Sequence, residues 1–168
     1  TSWKGQLEFI DIIKKIDTQN IFVLFAGDTK NESYTKLVRD KIKQNNLEGV
    51  CKILGSVNQD EMRSLYQIAD LSVSFPLRAE GFGRTVSESL YSKTPVLAFD
   101  YGGVKNQLEN LNEIYKVKPQ DYQALPAKIE KLLSLSEVEK KEALEGVQSV
   151  IESNFSKINM VNKYLKLY

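Results

Sequence analysis

Residues Phe75 to Val104 read FPLRAEGFGRTVSESLYSKTPVLAFDYGGV, and the order of residue types in this stretch decides the fold. Leu71 to Phe75 is short, apolar and rich in strand formers, and Pro76 ends its pairing because proline has no N–H to donate. Glu80-Gly81-Phe82-Gly83 follows as a turn. From Arg84 the pattern becomes helical, with Phe82, Val86 and Leu90 at i, i+4 and i+8. Pro95 closes the helix, Val96 to Phe99 is a second apolar strand, and Asp100-Tyr101-Gly102-Gly103 is a second glycine turn. A glycine turn between a strand and a helix suits an anion, because the first helical N–H groups lack internal partners and the helix dipole adds partial positive charge there. The same turn also serves plain chain reversal, so the signal is weak alone.

Working outward, the same alternation recurs. Gln6 to Asp17 is expected as a helix with Leu7, Ile10, Ile13 and Ile16 inward, and Ile21 to Ala26 as a strand covered on both faces. Ser33 to Asn45 is expected as a helix with Tyr34, Leu37, Val38 and Ile42 inward, and Val50 to Leu54 as the next strand. Asn58 with Glu61 spells a capping box before a helix whose apolar side is Met62, Leu65, Ile68 and Ala69. After the central stretch come a short helix over Lys105 to Leu111, a last strand over Glu113 to Val117, and a helix over Asp121 to Leu133 with Pro126 in its first turn. A second capping box, Ser136 with Glu139, opens a helix to Ser153, and a final helix spans Ser156 to Leu167. Five strands alternating with helices predict an α/β domain with a doubly wound, Rossmann-like parallel sheet. In such sheets ligands bind beyond the carboxyl ends of the strands. Gly27, Gly55 to Val57, Pro76 to Gly83 and Asp100 to Gly103 should therefore share one edge.

Composition narrows the class. At 168 residues the chain is one domain by length, and 42% hydrophobic with 27% charged residues are ordinary proportions. A net charge of +1 gives no global field for nucleic acid or membrane. No apolar run nears the roughly 18 residues of a membrane span. The one cysteine, Cys51, reads as a small core residue, which fits a reducing compartment. There is no histidine, so neither a Cys/His zinc site nor a Ser-His-Asp triad can be built from this chain alone. No G-x-G-x-x-G follows the first strand and no G-x-x-x-x-G-K-[ST] occurs, which disfavours dinucleotide and P-loop readings.

Two acids sharpen the anion site. Glu80 precedes the turn and Glu88 lies within the helix, with seven residues between them. From a helix start near Gly83, Glu88 lies about 7 Å along the axis and is turned about 200° from Val86, off the core stripe. A nucleotide sugar matches this spacing, having a diphosphate between two rings whose hydroxyls donate to carboxylates. Taken singly, Glu88 is an ordinary solvated helix residue and Glu80 a loop acid near a helix dipole.

Glu80-Gly81-Phe82-Gly83-Arg84-Thr85-Val86-Ser87-Glu88-Ser89-Leu90, followed by Thr94-Pro95-Val96-Leu97-Ala98 and Gly102-Gly103, resembles the E-x7-E signature of retaining glycosyltransferases, most closely family four of the GT-B fold. Lys4-Gly5, Ala26-Gly27-Asp28, Leu54-Gly55-Ser56-Val57 and Tyr66 with Ala69-Asp70 agree in order. The resemblance implies the C-terminal, donor-binding half of a GT-B enzyme. It implies that the N-terminal acceptor domain, the first strand and an arginine that pairs with Lys4 would precede Thr1. Lys4 would hold the donor diphosphate and Glu80 the donor sugar. Gly81, Phe82 and Gly83 would face sugar and phosphate, and the N–H groups of Arg84 and Thr85 the diphosphate. Glu88 would take the ribose, Val57 the base, and Gly27 a place on the same edge.

The implied reaction moves a sugar from a nucleoside-diphosphate sugar to a glycan or lipid-linked acceptor with retention. It would need no metal or other cofactor, and it would serve cell-surface polysaccharide or lipopolysaccharide synthesis. The full-length protein would be cytoplasmic, with peripheral association at the inner membrane, and the isolated domain would bind donor without turnover. A GT-B nucleotide-sugar epimerase, a non-catalytic sugar-nucleotide sensor and a flavodoxin-like interaction domain remain alternatives.

Overall fold

Val96–Phe99 is buried along its whole length, each residue at 1% exposure or less. It is the middle strand of a three-stranded parallel sheet, flanked by Ser72–Ser74 and Lys116–Val117. The computed structural model describes residues 1–166, less the side chains of Met160, Lys163 and Tyr164. Its strands are β1 (Val23–Ala26), β2 (Cys51–Gly55), β3 (Ser72–Ser74), β4 (Val96–Phe99) and β5 (Lys116–Val117). Its helices are α1 (Gln6–Ile13), α2 (Glu32–Gln44), α3 (Gln59–Ile68), α4 (Arg84–Tyr91), α5 (Gly103–Leu108), α6 (Leu125–Leu133), α7 (Glu137–Ala143), α8 (Val147–Phe155) and α9 (Lys157–Leu165). Short 3₁₀ turns occupy Ser2–Lys4 and Glu113–Tyr115.

Every described strand pair is parallel, so helices must carry the chain back across the sheet. The expected doubly wound α/β architecture is present, but the ladder is split. β1 pairs with β2, β3 pairs with β4 and β4 with β5, and no ladder joins β1 to β3 among the described residues. Aromatic rings cross the seam instead. Phe9 of α1 lies 6.3 Å from Phe25 and 5.7 Å from Phe75, and Phe75 lies 5.2 Å from Phe99. Phe25 is near the carboxyl end of β1 and Phe75 just beyond that of β3, so the strand ends of both sheets lie along one side.

Several sequence expectations need correction. β1 is not covered on both faces: Phe22 and Leu24 are 63% and 37% exposed, while Val23 and Phe25 turn toward the core. Leu37 of α2 and Ile68 of α3 point outward, and Tyr66 is the buried residue of α3. A stripe predicted from periodicity is a few residues wide, and only its centre meets the sheet. Glu113–Tyr115 is a 3₁₀ turn, which leaves β5 only two residues. The helix expected through Ser153 breaks at Gly146 into α7 and α8. Both capping boxes form as expected, at Asn58 with Glu61 and at Ser136 with Glu139. Leu167, the expected end of the last helix, lies outside the described residues.

Candidate functional site

The site is built on the two glycine turns, which lie against each other. A Cβ on Gly103 would stand 2.1 Å from the Gly81 carbonyl oxygen, so a residue without a side chain is required there. The Gly103 N–H donates to the Glu80 carbonyl at 2.9 Å, and the Gln107 amide of α5 donates to the Phe82 carbonyl. The Tyr101 hydroxyl donates to the Pro76 carbonyl. The loop that precedes α4 is thus held from the turn after β4, which fixes the backbone from Pro76 to Gly83. Gly83 has φ +79°, a left-handed conformation, and sends the chain directly into α4.

α4 begins without a side-chain cap. Among the described residues no acceptor meets the N–H groups of Arg84 and Thr85, so two donors and the positive end of the helix dipole face the turn. Val86 and Leu90 anchor the helix with no exposure, and Phe82 packs edge-on against Phe155 of α8 at 5.4 Å.

Both acids are already paired with cations. Lys4 Nζ lies 2.7 Å from Glu80 Oε1, and that carboxylate side chain is only 10% exposed. Arg84 Nη2 lies 2.8 Å from Glu88 Oε1 on a more open surface. The Tyr66 hydroxyl reaches Glu88 Oε2 at 3.5 Å, and burial together with the Glu88 carboxylate raises its pKa above the ordinary tyrosine value. Tyr66 therefore stays protonated and acts as a donor to Glu88. Lys4, Glu80, Gly81, Phe82, Gly83, Arg84, Thr85 and Glu88 thus surround one turn and the first turn of α4.

Gly27 and Val57 belong to the other sheet. The Gly27 N–H donates to the Gly55 carbonyl at 2.9 Å, which ties the ends of β1 and β2. Val57 lines an open hollow of about 600 Å³ with Leu54, Ser56 and Leu65 among its walls. Cys51 is buried, and burial pushes its thiol up to about 11, which rules it out as a thiolate nucleophile near neutral pH. Three contributors went unassigned from sequence: Tyr66, Gln107 and Tyr101. Tyr66 and Glu88 are 22 residues apart, and Gln107 and Phe82 are 25 apart. The one local hint was Gln107 standing four residues after Gly103 on the same short helix.

Parallel sheets flanked by helices in this order are the Rossmann-like architecture of the C-terminal half of GT-B glycosyltransferases. Solved structures bear out the fold. The crystal structure of a glycosyltransferase from Rickettsia africae superposes with a TM-score of 0.88 at 29% identity, over all of this chain and 44% of that one. Anabaena HepE, solved in complex with UDP and glucose, superposes with a TM-score of 0.84 at 24% identity, over all of this chain and 46% of that one. The trehalose synthase of Thermococcus litoralis is 26% identical over 98% of this chain and 41% of its own length. The chain thus spans less than half the length of each of these relatives. The family model described as "Glycosyl transferases group 1" matches residues 1–145. The chain belongs to that family.

Proposed function

We propose that this chain is the donor-binding half of a retaining glycosyltransferase that moves a sugar from a nucleoside diphosphate to a glycan or lipid-linked acceptor. The observation that carries this reading is the pair of ion pairs at one uncapped helix start, Lys4 with Glu80 and Arg84 with Glu88. A diphosphate entering between them meets two cations and two free N–H donors. A hydroxyl-bearing ring on either side meets a carboxylate. Glu80 takes the sugar hydroxyls, Glu88 the ribose hydroxyls, and the hollow at Val57 the base. The UDP and glucose held by HepE fit this assignment of ligand class.

In the reaction, negative charge grows on the departing diphosphate as the glycosidic bond breaks. Lys4 and the amides of Arg84 and Thr85 are fixed in place to stabilise it, without reorganisation at the moment of transfer. This charge stabilisation needs no metal or cofactor. The backbone clamp from Gly103 and Gln107 keeps the donors aimed. On this reading a further domain holds the acceptor, in keeping with a chain that spans less than half the length of its relatives. A cytoplasmic enzyme of surface polysaccharide or lipopolysaccharide synthesis, peripherally associated with the membrane, is the setting we propose. A described relative named lipopolysaccharide 1,2-N-acetylglucosaminetransferase, from Salmonella typhimurium, supports it. No described helix is long and apolar enough to cross a membrane.

The test is a calorimetric screen of the chain against UDP-, GDP- and ADP-sugars. One series should bind, and Glu88→Ala should weaken that series without weakening inorganic pyrophosphate. Absence of binding across all three series would overturn the reading, and sugar transfer by the isolated chain would overturn its assignment as a donor half.

A further inference from the structure

The loop that delivers Glu80 carries a cation that the proposed reaction does not use. Arg78 is exposed, and among the described residues no carboxylate lies within ion-pair distance of it. Its guanidinium carbon stands 4.8 Å from the centre of the Trp3 ring, and Lys4 Nζ stands 4.5 Å from the same ring. The Leu77 N–H donates to the Trp3 carbonyl at 2.8 Å, which fastens the 3₁₀ turn to the loop. Arg78, Trp3, Lys4 and Glu80 therefore form one continuous run of contacts.

The charges along this run do not cancel. Glu80 compensates Lys4, which leaves the Arg78 charge over. Two like charges on one indole repel each other, and the ring quadrupole offsets that repulsion only in part. A guanidinium lying on a ring has given up rotamer freedom, yet its N–H fork stays free for an oxyanion.

We propose that Arg78, seated on Trp3, is a further oxyanion-binding cation of the donor site, beyond the positions served by Lys4 and Arg84. This rests on the donor-binding reading above. The ligand group is a phosphoryl or carboxylate oxygen. Its source is either the terminal phosphate of the nucleoside diphosphate or an acidic group on the transferred sugar. Trp3 is a positioning residue that sets the height and direction of both cations.

The experiment titrates the full chain by calorimetry with UMP, UDP, UDP-glucose and UDP-glucuronate, and with the corresponding GMP/GDP and AMP/ADP pairs. Proteins compared are wild type, Arg78→Ala, Arg78→Lys, Trp3→Phe and Lys36→Ala, the last removing an exposed cation elsewhere. If the terminal phosphate is the partner, Arg78→Ala lowers the preference for diphosphate over monophosphate about tenfold. If the sugar is the partner, that preference holds and the preference for UDP-glucuronate over UDP-glucose falls instead. In either case Arg78→Lys recovers part of the loss, Trp3→Phe most of the wild-type ratio, and Lys36→Ala leaves every ratio unchanged. Arg78→Ala with every ratio at its wild-type value would overturn this inference while leaving the donor reading intact. A wild-type chain that binds no nucleotide would overturn both.

Discussion

On the donor-binding reading, replacing Arg84 with alanine separates the two roles of the start of α4, in helix stability and in holding the diphosphate. The Arg84–Glu88 pair spans one helical turn, with side chains 72% and 39% exposed. Exposed i,i+4 pairs contribute about 0.3–0.5 kcal/mol, and an arginine N-terminal to its glutamate is the weaker order. A cation in the first turn also opposes the helix dipole, at about 0.3–1 kcal/mol. These two effects offset, so Arg84→Ala should move the melting temperature by less than about 2 °C. Binding should change more. Without the arginine, Glu88 no longer has to give up an ion pair to accept ribose hydroxyls, and a bare nucleoside should bind up to about twofold tighter. The diphosphate loses a nearby positive charge on an open surface, worth about 1 kcal/mol or about fivefold in affinity. Calorimetry with uridine and UDP, or with the nucleoside pair the wild type prefers, reads both. Nucleoside and diphosphate affinities changing in the same direction would refute this account of how the ion pair and the ligand compete.

Other outcomes follow from the same geometry. Gly103→Ala places a methyl group on the Gly81 carbonyl, so it should destabilise the fold by about 2–3 kcal/mol and remove nucleotide binding, read by chemical denaturation and titration. Lys4→Ala leaves the nearly buried Glu80 without its partner and should cost about 1–2 kcal/mol. Adding Glu80→Gln should recover much of that stability but none of the diphosphate affinity. Cys51 predicts a pH effect of definite sign, because its thiol titrates at about 11 in the fold and near 9 when unfolded. The unfolded chain therefore binds fewer protons between those values, and this contribution to stability, complete below pH 9, is lost as pH rises toward 11. Cys51→Ala should flatten the fall in stability across that window, and native Cys51 should resist alkylation at neutral pH.

Local signals in the chain read correctly where the deciding contacts are local. Val96–Phe99 is bounded by Pro95 and a glycine turn and has four apolar residues, so its strand and its burial follow from nearest neighbours. The capping boxes at Asn58 and Ser136 are complete within four residues. The break at Gly146 was less legible because a capping box upstream and an amphipathic pattern downstream both support helix. Exposure of Leu37, Ile68 and one face of β1 depends on which neighbours lie across the sheet, and periodicity does not report that. In the site, the turn and its two acids were visible as a string. Their engagement with Lys4, Tyr66 and Gln107 was not, since those contacts close loops of 76, 22 and 25 residues.

The ring contacts between Phe9, Phe25 and Phe75 have a mechanical consequence. Hydrogen-bonded strands lock in register and resist sliding, but rings that meet edge-on or tilted can shift past one another at the cost of a rotamer adjustment. The piece carrying Gly27 and Val57 can therefore shear against the piece carrying Glu80 and Glu88 without breaking a ladder. On the donor-binding reading, this seam is where the spacing between the Val57 hollow and the Glu80 turn would adjust to a ligand.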